Sequence, residues 1–233
     1  MKVDIWSDVR CPFCYIGKKK FEAALERFSQ KDKVKVNWRS FELDPSIETN
    51  PGVNAIDHLA AIKGISRAQA EGMHQHVTGV AKEIGLDFNF EKSVVANSFN
   101  AHRLIQLAQS KGLAEKAEEE LFKAHFMEGK NIDDKDILAQ IGKTIGINEN
   151  EVKEMLISDT FSGEVKQDEI QARSLGINGV PFFVLGDKYG VSGAQSTDVF
   201  LQALSQAWKE FEKEKQPLII TEGESCSAGG SCN

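Results

Sequence analysis

Strand-forming chemistry is confined to the two ends of this 233-residue chain, and that distribution limits the fold more than any other feature. Val3 and Ile5 are apolar at alternate positions with Trp6 facing the other way, which predicts a short strand over 3–7. Pro12 suits a first helical position, and Ile16, Phe21, Ala24, Leu25 and Phe28 recur at helical spacing, which predicts a helix over 12–30. Residues 34–41 alternate apolar and polar as a half-buried strand does, until Pro45 and the Asn50-Pro51-Gly52 cluster end it. From 53 to 176 the pattern is helical almost throughout. Ser66-x-x-Gln69 and Asn148-x-x-Glu151 are start signals of the capping-box type, and Gly85, Gly112, Gly129 and Gly146 stand where helices stop. Strand chemistry returns at 181–185, and a turn at Gly186-Asp187-Lys188 leads to a second strand near 189–192, which reads as a hairpin. Ser196-Thr197-Asp198 opens a last amphipathic helix with Val199, Phe200, Leu204 and Trp208 on its apolar side.

A helical block of this kind supplies no sheet of its own, so the strands at the two ends must pair with each other. The expected architecture is an α/β domain made of residues 1–52 and 177–215, interrupted by a helical insertion over 53–176. Residues 216–233 read as a flexible Cys-containing tail, rich in Gly and Ser.

Hydrophobic residues make up 41% and charged residues 27%, an ordinary globular composition that excludes wholesale disorder. The net charge of −7 argues against a phosphate-seeking surface, so no nucleic-acid partner is expected. No apolar run approaches the roughly 18 residues of a membrane span, and the opening Met1-Lys2-Val3-Asp4-Ile5-Trp6 has no apolar signal segment. The expectation is a cytoplasmic protein, monomer or homodimer. Charge is uneven, however: residues 1–40 hold ten Lys or Arg against five Asp or Glu.

That positive stretch contains the first of two cysteine pairs, Cys11 with Cys14; the second is Cys226 with Cys232. About 210 residues without cysteine separate them, which excludes a small disulfide-stapled domain. Cys11-Pro12-Phe13-Cys14 lies at the junction of the first strand and first helix. A sulfur there faces unpaired backbone N–H groups and the positive helix end, which favour its charged form. Two intervening residues keep both sulfurs within one turn, close enough to form a disulfide and release it by exchange. Cys11 is then the attacking thiol and Cys14 the resolving one.

The surrounding polar residues carry plainer readings beside functional ones. Lys18, Lys19 and Lys20 form a solvated helix face or add modestly to thiolate stabilisation. Asp8 caps the helix turn or accepts a proton during exchange. Half of a zinc site would need Cys226 and Cys232, whose spacing is wider than the usual two to four intervening residues, so no metal is expected. His74 and His76 point to different helix faces and read as surface residues; His58 and His125 read as structural. The tail pair has three open readings: a redox relay to Cys11 and Cys14, a soft-metal site, or incidental thiols.

Residues 6–15, Trp-Ser-Asp-Val-Arg-Cys-Pro-Phe-Cys-Tyr, with residues 176–183, Gly-Ile-Asn-Gly-Val-Pro-Phe-Phe, resemble the DsbA family of thioredoxin-fold proteins. Phe41-Glu42-Leu43-Asp44-Pro45, the Asn97–Leu104 stretch Asn-Ser-Phe-Asn-Ala-His-Arg-Leu, and Ser192-Gly193-Ala194-Gln195 narrow the resemblance to the FrnE-like cytosolic branch, described as predicted dithiol–disulfide isomerases. It runs to about residue 212. The resemblance implies a thioredoxin fold with a helical insertion and a cis Pro181 facing the redox pair. It implies that Val180 and Pro181 hold an extended substrate segment beside Cys11, with Pro12, Phe13 and His102 bordering the same groove. One departure matters: family oxidants typically carry His where this chain has Phe13, which donates no hydrogen bond.

The activity implied is therefore that of a thiol–disulfide oxidoreductase, reductase or isomerase more than oxidant, with no bound cofactor. Its substrates would be disulfide-containing proteins or small thiols, and its electron donor glutathione or a thioredoxin-type partner. Two other classes stay open: a glutathione-dependent isomerase or transferase of the kappa or hydroxychromene-carboxylate type, which has Ser in place of Cys11, and a redox-sensing holdase.

Overall fold

The computed structural model describes residues 1–214; the tail readings for Cys226 and Cys232 lie outside the described residues. In chain order the elements are β1 (Lys2–Ser7), α1 (Pro12–Glu26), β2 (Lys35–Ser40), β3 (Asn50–Asn54), α2 (Ala55–Lys63), α3 (Arg67–Lys82), β4 (Val94–Val95), α4 (Phe99–Ser110), α5 (Ala114–Phe126), α6 (Lys135–Thr144), α7 (Glu149–Ile157), α8 (Ser162–Ser174), β5 (Phe182–Leu185), β6 (Tyr189–Ser192) and α9 (Thr197–Glu214).

The two ends of the chain pair as the strand distribution requires. The main sheet runs β2-β1-β5-β6. Strand β1 lies parallel to β2, with Val3 opposite Val36 and Ser7 opposite Ser40, and antiparallel to β5, with Ile5 opposite Phe183. The hairpin of β5 and β6 completes it. Alternation then decides the two faces. Val3, Ile5, Phe183 and Leu185 turn toward α1 and α9 and join Phe21, Phe200 and Leu204 in the core. The Phe183 ring sits 5.4 Å from Phe21 and 4.6 Å from Phe200. Trp6 faces the opposite side and packs with Ala172 of α8 and Ile177, flanked by Phe182 and Val184.

Helix α8 thus covers the second face of the sheet, although the periodicity assigned it to the insertion. Asp168 is the reason. Its buried carboxylate accepts hydrogen bonds from Arg39 Nη1 and the Ser40 amide, both at 3.0 Å, and from Gln106 Nε2 of α4 at 2.6 Å. Its backbone carbonyl accepts from the Trp6 indole at 3.0 Å.

Two further features differ from the sequence expectation. The helical block does contribute strands, because β3 and β4 pair antiparallel in a small second sheet; a five-residue Asn-Pro-Gly-containing strand and a two-residue partner carry no alternation to read. Lys18 is not part of a solvated face. It is only 2% exposed, and its ammonium lies 2.7 Å from Glu119 of α5 and contacts Glu22 one turn on. Nearby, Tyr15 of α1 stacks on Phe122 at 4.9 Å and on Phe88 at 5.8 Å. The insertion and the sheet therefore share one continuous core.

Replacing Asp168 by Ala strands the Ser40 amide and the Gln106 side chain away from water, and an orphaned buried donor costs about 1–3 kcal/mol. Asp168→Ala should lower unfolding stability by about 3–5 kcal/mol, read from urea midpoints. A loss under about 1 kcal/mol would show that α8 is held by apolar packing alone.

Candidate active site

Strand β1 ends at Ser7, and a tight turn follows in which the Cys11 amide donates to the Asp8 carbonyl at 2.9 Å. Cys11 is the residue before the first helical position, with extended backbone (φ −92°, ψ 111°) and no side-chain cap over the helix start. Pro12, which has no N–H to leave unpaired, opens α1. The Cys14 amide donates back to the Cys11 carbonyl at 3.0 Å. Both cysteines are free thiols, Cys11 at 6% exposure and Cys14 at 1%. Cys11 is slightly the more exposed of the two, although neither stands open. Phe13 between them is the exposed member, at 40%.

The antiparallel register of β5 brings its preceding residues to the same end of the sheet. Cys11 Sγ lies 3.6 Å from the Val180 carbonyl oxygen, and the Val180–Pro181 bond is cis. Burial, reinforced by the neighbouring Cys11 sulfur, pushes the Cys14 thiol well above its ordinary value.

Beneath the two sulfurs is a buried cluster of ionisable groups. Asp8 does not cap α1. Its fully buried carboxylate accepts from the Arg10 amide at 3.0 Å and the Leu43 amide at 2.8 Å, and faces His102 Nε2 of α4 at 3.6 Å. Burial alone would raise the Asp8 carboxyl, but His102 and the two amides outweigh it and hold it below its usual value. Burial alone would likewise lower His102; Asp8, with Glu118 and Glu42, reverses that and raises it. Each of the two therefore favours the charged form of the other. His102, expected to border the groove, is 1% exposed and packs against Asp8.

Glu118 and Glu42 were not singled out by sequence reasoning. Burial pushes the Glu118 carboxyl of α5 up to about 7, against the pull of His102 and Lys18. Burial also lifts Glu42 to about 7, opposed by His102 and assisted by Glu169 and Asp8. A signal for Glu118 existed. It shares a helical stripe with Ala114, Leu121, Phe122 and His125, all of which are buried.

The remaining candidates fall elsewhere. Lys19 pairs with Glu119 at 2.8 Å and lies over the Tyr15 ring, so its charge is matched away from Cys11. His74 is half-buried and stacks on Phe90 at 4.1 Å, whereas His76 is exposed. His125 is buried, and burial followed by Arg10 pushes it down to about 4. Among the described residues no cluster of three or more His, Cys, Asp or Glu is arranged to hold a metal ion.

Residues 2–205 match the family model described as the DSBA-like thioredoxin domain. The chain belongs to that family. Its fold matches a probable DsbA oxidoreductase from Streptomyces coelicolor with a TM-score of 0.85 and 37% identity, covering 100% of this chain and 98% of that one. Two more distant structures share the DSBA-like fold. One is a 2-hydroxychromene-2-carboxylate isomerase (TM-score 0.67, 16% identity, 93% of this chain and 100% of that one). The other is the cytosolic disulfide reductase DsbM from Pseudomonas aeruginosa (TM-score 0.61, 16% identity, 92% and 98%).

The Glu118 carboxyl ionises near 4.5 in an unfolded chain and near 7 in the fold. Between those values the folded state keeps a proton that the unfolded state has lost, so stability falls as pH rises through that window. A shift of this size corresponds to about 3 kcal/mol. Glu118→Gln should therefore raise the urea midpoint at pH 8 and leave it nearly unchanged at pH 4.5. Equal effects at both pH values would contradict the assignment.

Proposed function

We propose that this DsbA-like protein is a cytoplasmic thiol–disulfide oxidoreductase of the FrnE-like branch, acting as a reductase or isomerase through Cys11 and Cys14. The observation that carries the reading is the Cys11 sulfur at the start of α1, 3.6 Å from the Val180 carbonyl, with Cys14 buried within one helical turn behind it.

The Cys11 thiolate attacks one sulfur of a substrate disulfide. A Cys11–substrate S–S bond forms, the substrate S–S bond breaks, and the departing sulfur leaves as a thiolate that takes a proton from water. Cys14, once deprotonated, attacks Cys11 Sγ; the second substrate sulfur leaves, and a Cys11–Cys14 disulfide remains. Two electrons have passed to the substrate, and glutathione or a thioredoxin-type donor returns them. The backbone of Val180 beside Pro181 supplies polar groups next to Cys11 for an extended substrate segment to pair with.

Phe13 directs the preference for reduction. With no donor at that position to hold the Cys11 thiolate, the reduced form is less favoured and the couple is a weaker oxidant. The cytoplasmic assignment is supported by the resemblance in fold to a cytosolic disulfide reductase, and no helix among the described residues is long and apolar enough to cross a membrane. The isomerase-or-transferase reading has the shared fold in its favour, but Cys11 stands where those enzymes are expected to carry Ser.

A Cys14→Ser variant should accumulate covalent adducts with protein disulfides through Cys11, resolved by non-reducing electrophoresis and mass spectrometry; adducts with small thiols only would sink the proposal. Phe13→His should shift the reduction potential, measured by glutathione titration, toward less negative values. A wild-type potential already equal to that of a strong oxidant, about −120 mV, would reverse the assigned direction.

A further inference from the structure

Gly17 lies on the buried side of α1, six positions beyond Cys11. A Cβ built there would stand 3.0 Å from Pro181 Cγ and 3.5 Å from both Cα and Cβ of Ala194. The first distance is tighter than a comfortable carbon–carbon contact, so the side bearing Pro181 would have to yield. That side is braced. The Pro181 carbonyl accepts from the Gly193 amide at 2.8 Å, and the Gln195 amide returns to the Gly193 carbonyl at 3.0 Å. Gln195 Nε2 holds the Ser192 carbonyl at 2.8 Å, and Phe182 pairs with Ser192 across the hairpin. The turn at Ser192-Gly193-Ala194-Gln195 closes through Gly193 at φ +78°, a conformation open to glycine. It therefore forms a seat for Pro181, and Gly17 is where the helix rests on it.

We propose that Gly17 is a positioning residue: its missing Cβ lets α1 settle against Pro181 and Ala194, and this contact sets the gap between the Cys11 sulfur and the Val180 carbonyl. The proposal rests on the exchange reading above and deepens it. A substrate segment pairing with the Val180 backbone while its sulfur meets Cys11 needs both at one fixed separation. A small disulfide, with no backbone to pair, needs only the sulfur. Gly17 therefore governs how well extended polypeptide disulfides are accepted relative to small ones.

Stability and selectivity should respond differently. Alanine is favoured over glycine in a helix interior by about 1 kcal/mol, which offsets part of the new contact, so Gly17→Ala keeps its fold while the gap widens. The experiment uses the full chain in a Cys14→Ser background and measures rates of mixed-disulfide formation at Cys11 with insulin and with hydroxyethyl disulfide. Gly17→Ala should slow the insulin reaction about tenfold and leave the hydroxyethyl disulfide rate within about twofold of the parent. Ala194→Val, which crowds the same contact from the turn and leaves the helix untouched, should move the ratio in the same direction. Gly79→Ala in α3, where a Cβ meets nothing within 4 Å, should change neither rate. An unchanged insulin rate in both the Gly17 and Ala194 variants overturns the proposal and leaves the exchange reading standing. So does equal slowing with both disulfides, which would place the effect on the sulfur alone. A Cys14→Ser parent that captures no insulin overturns the exchange reading and this proposal with it.

Discussion

The double pairing of β1, parallel to β2 on one side and antiparallel to β5 on the other, is the constraint from which the site follows. Because β5 runs against β1, its first residue stands beside the last residues of β1, with Phe182 opposite Trp6. The chain entering β5 must then pass the chain leaving β1, so Val180 meets Cys11 across 169 positions. A slip of one residue would turn Phe183 and Leu185 out of the core, and a slip of two would carry Val180 about 7 Å along the strand. The apolar face that α1 and α9 cover, with Phe21 and Phe200 against Phe183, penalises both. The geometry at the sulfur is thus inherited from packing between the helices and the apolar face of the sheet.

The insertion supplies the floor beneath that site. His102 of α4 lies against the buried Asp8 just beyond β1, and the charge of Glu118 from α5 is felt by His102. Lys18 and Tyr15, on the helix that carries the cysteines, find Glu119 and Phe122 on α5. Burying ionisable groups is a costly way to join two layers, because desolvation opposes their charged forms. Asp8 offsets that cost with two backbone amides as well as His102. Those amides belong to Arg10 in the turn before Cys11 and to Leu43 beyond β2, so one carboxylate ties the cysteine turn, the second strand's exit and the insertion together.

The strands of the main sheet, the helix over the cysteines and the glycine-terminated helices were legible because each announces itself locally, by alternation, helical spacing or a positive-φ stop such as Gly146. The Cys11–Cys14 pair was legible by its spacing at a strand-to-helix junction. What was hidden depends on partners distant in sequence. Lys18 reads as one of three solvated lysines until Glu119, 101 positions away, is seen beside it. Asp8 reads as a local cap because its true partners, Leu43 and His102, come from other elements. The neighbours of α8 were hidden for the same reason: its helical pattern is clear, but its place against both the sheet and α4 depends on Asp168 meeting Ser40, Trp6 and Gln106. Periodicity gives an element's kind and burial its face; neither names the neighbour.

The same electrostatics orders the proposed exchange in time. Burial, the Cys11 sulfur and the nearby Asp8 charge all hold the Cys14 proton, and of these the Cys11 contribution is the one that substrate capture removes. While Cys11 is an anion, a second anion within the same helical turn is opposed by Coulomb repulsion at low effective dielectric. Once Cys11 is joined to a substrate sulfur it is uncharged, that repulsion ends, and Cys14 loses its proton more readily. Attack by the resolving thiol is therefore held back until there is a mixed disulfide to attack. In the proposed exchange the buried second cysteine acts as a sequence control: burial favours its thiol form, and capture of a substrate at Cys11 removes the added opposition from that sulfur.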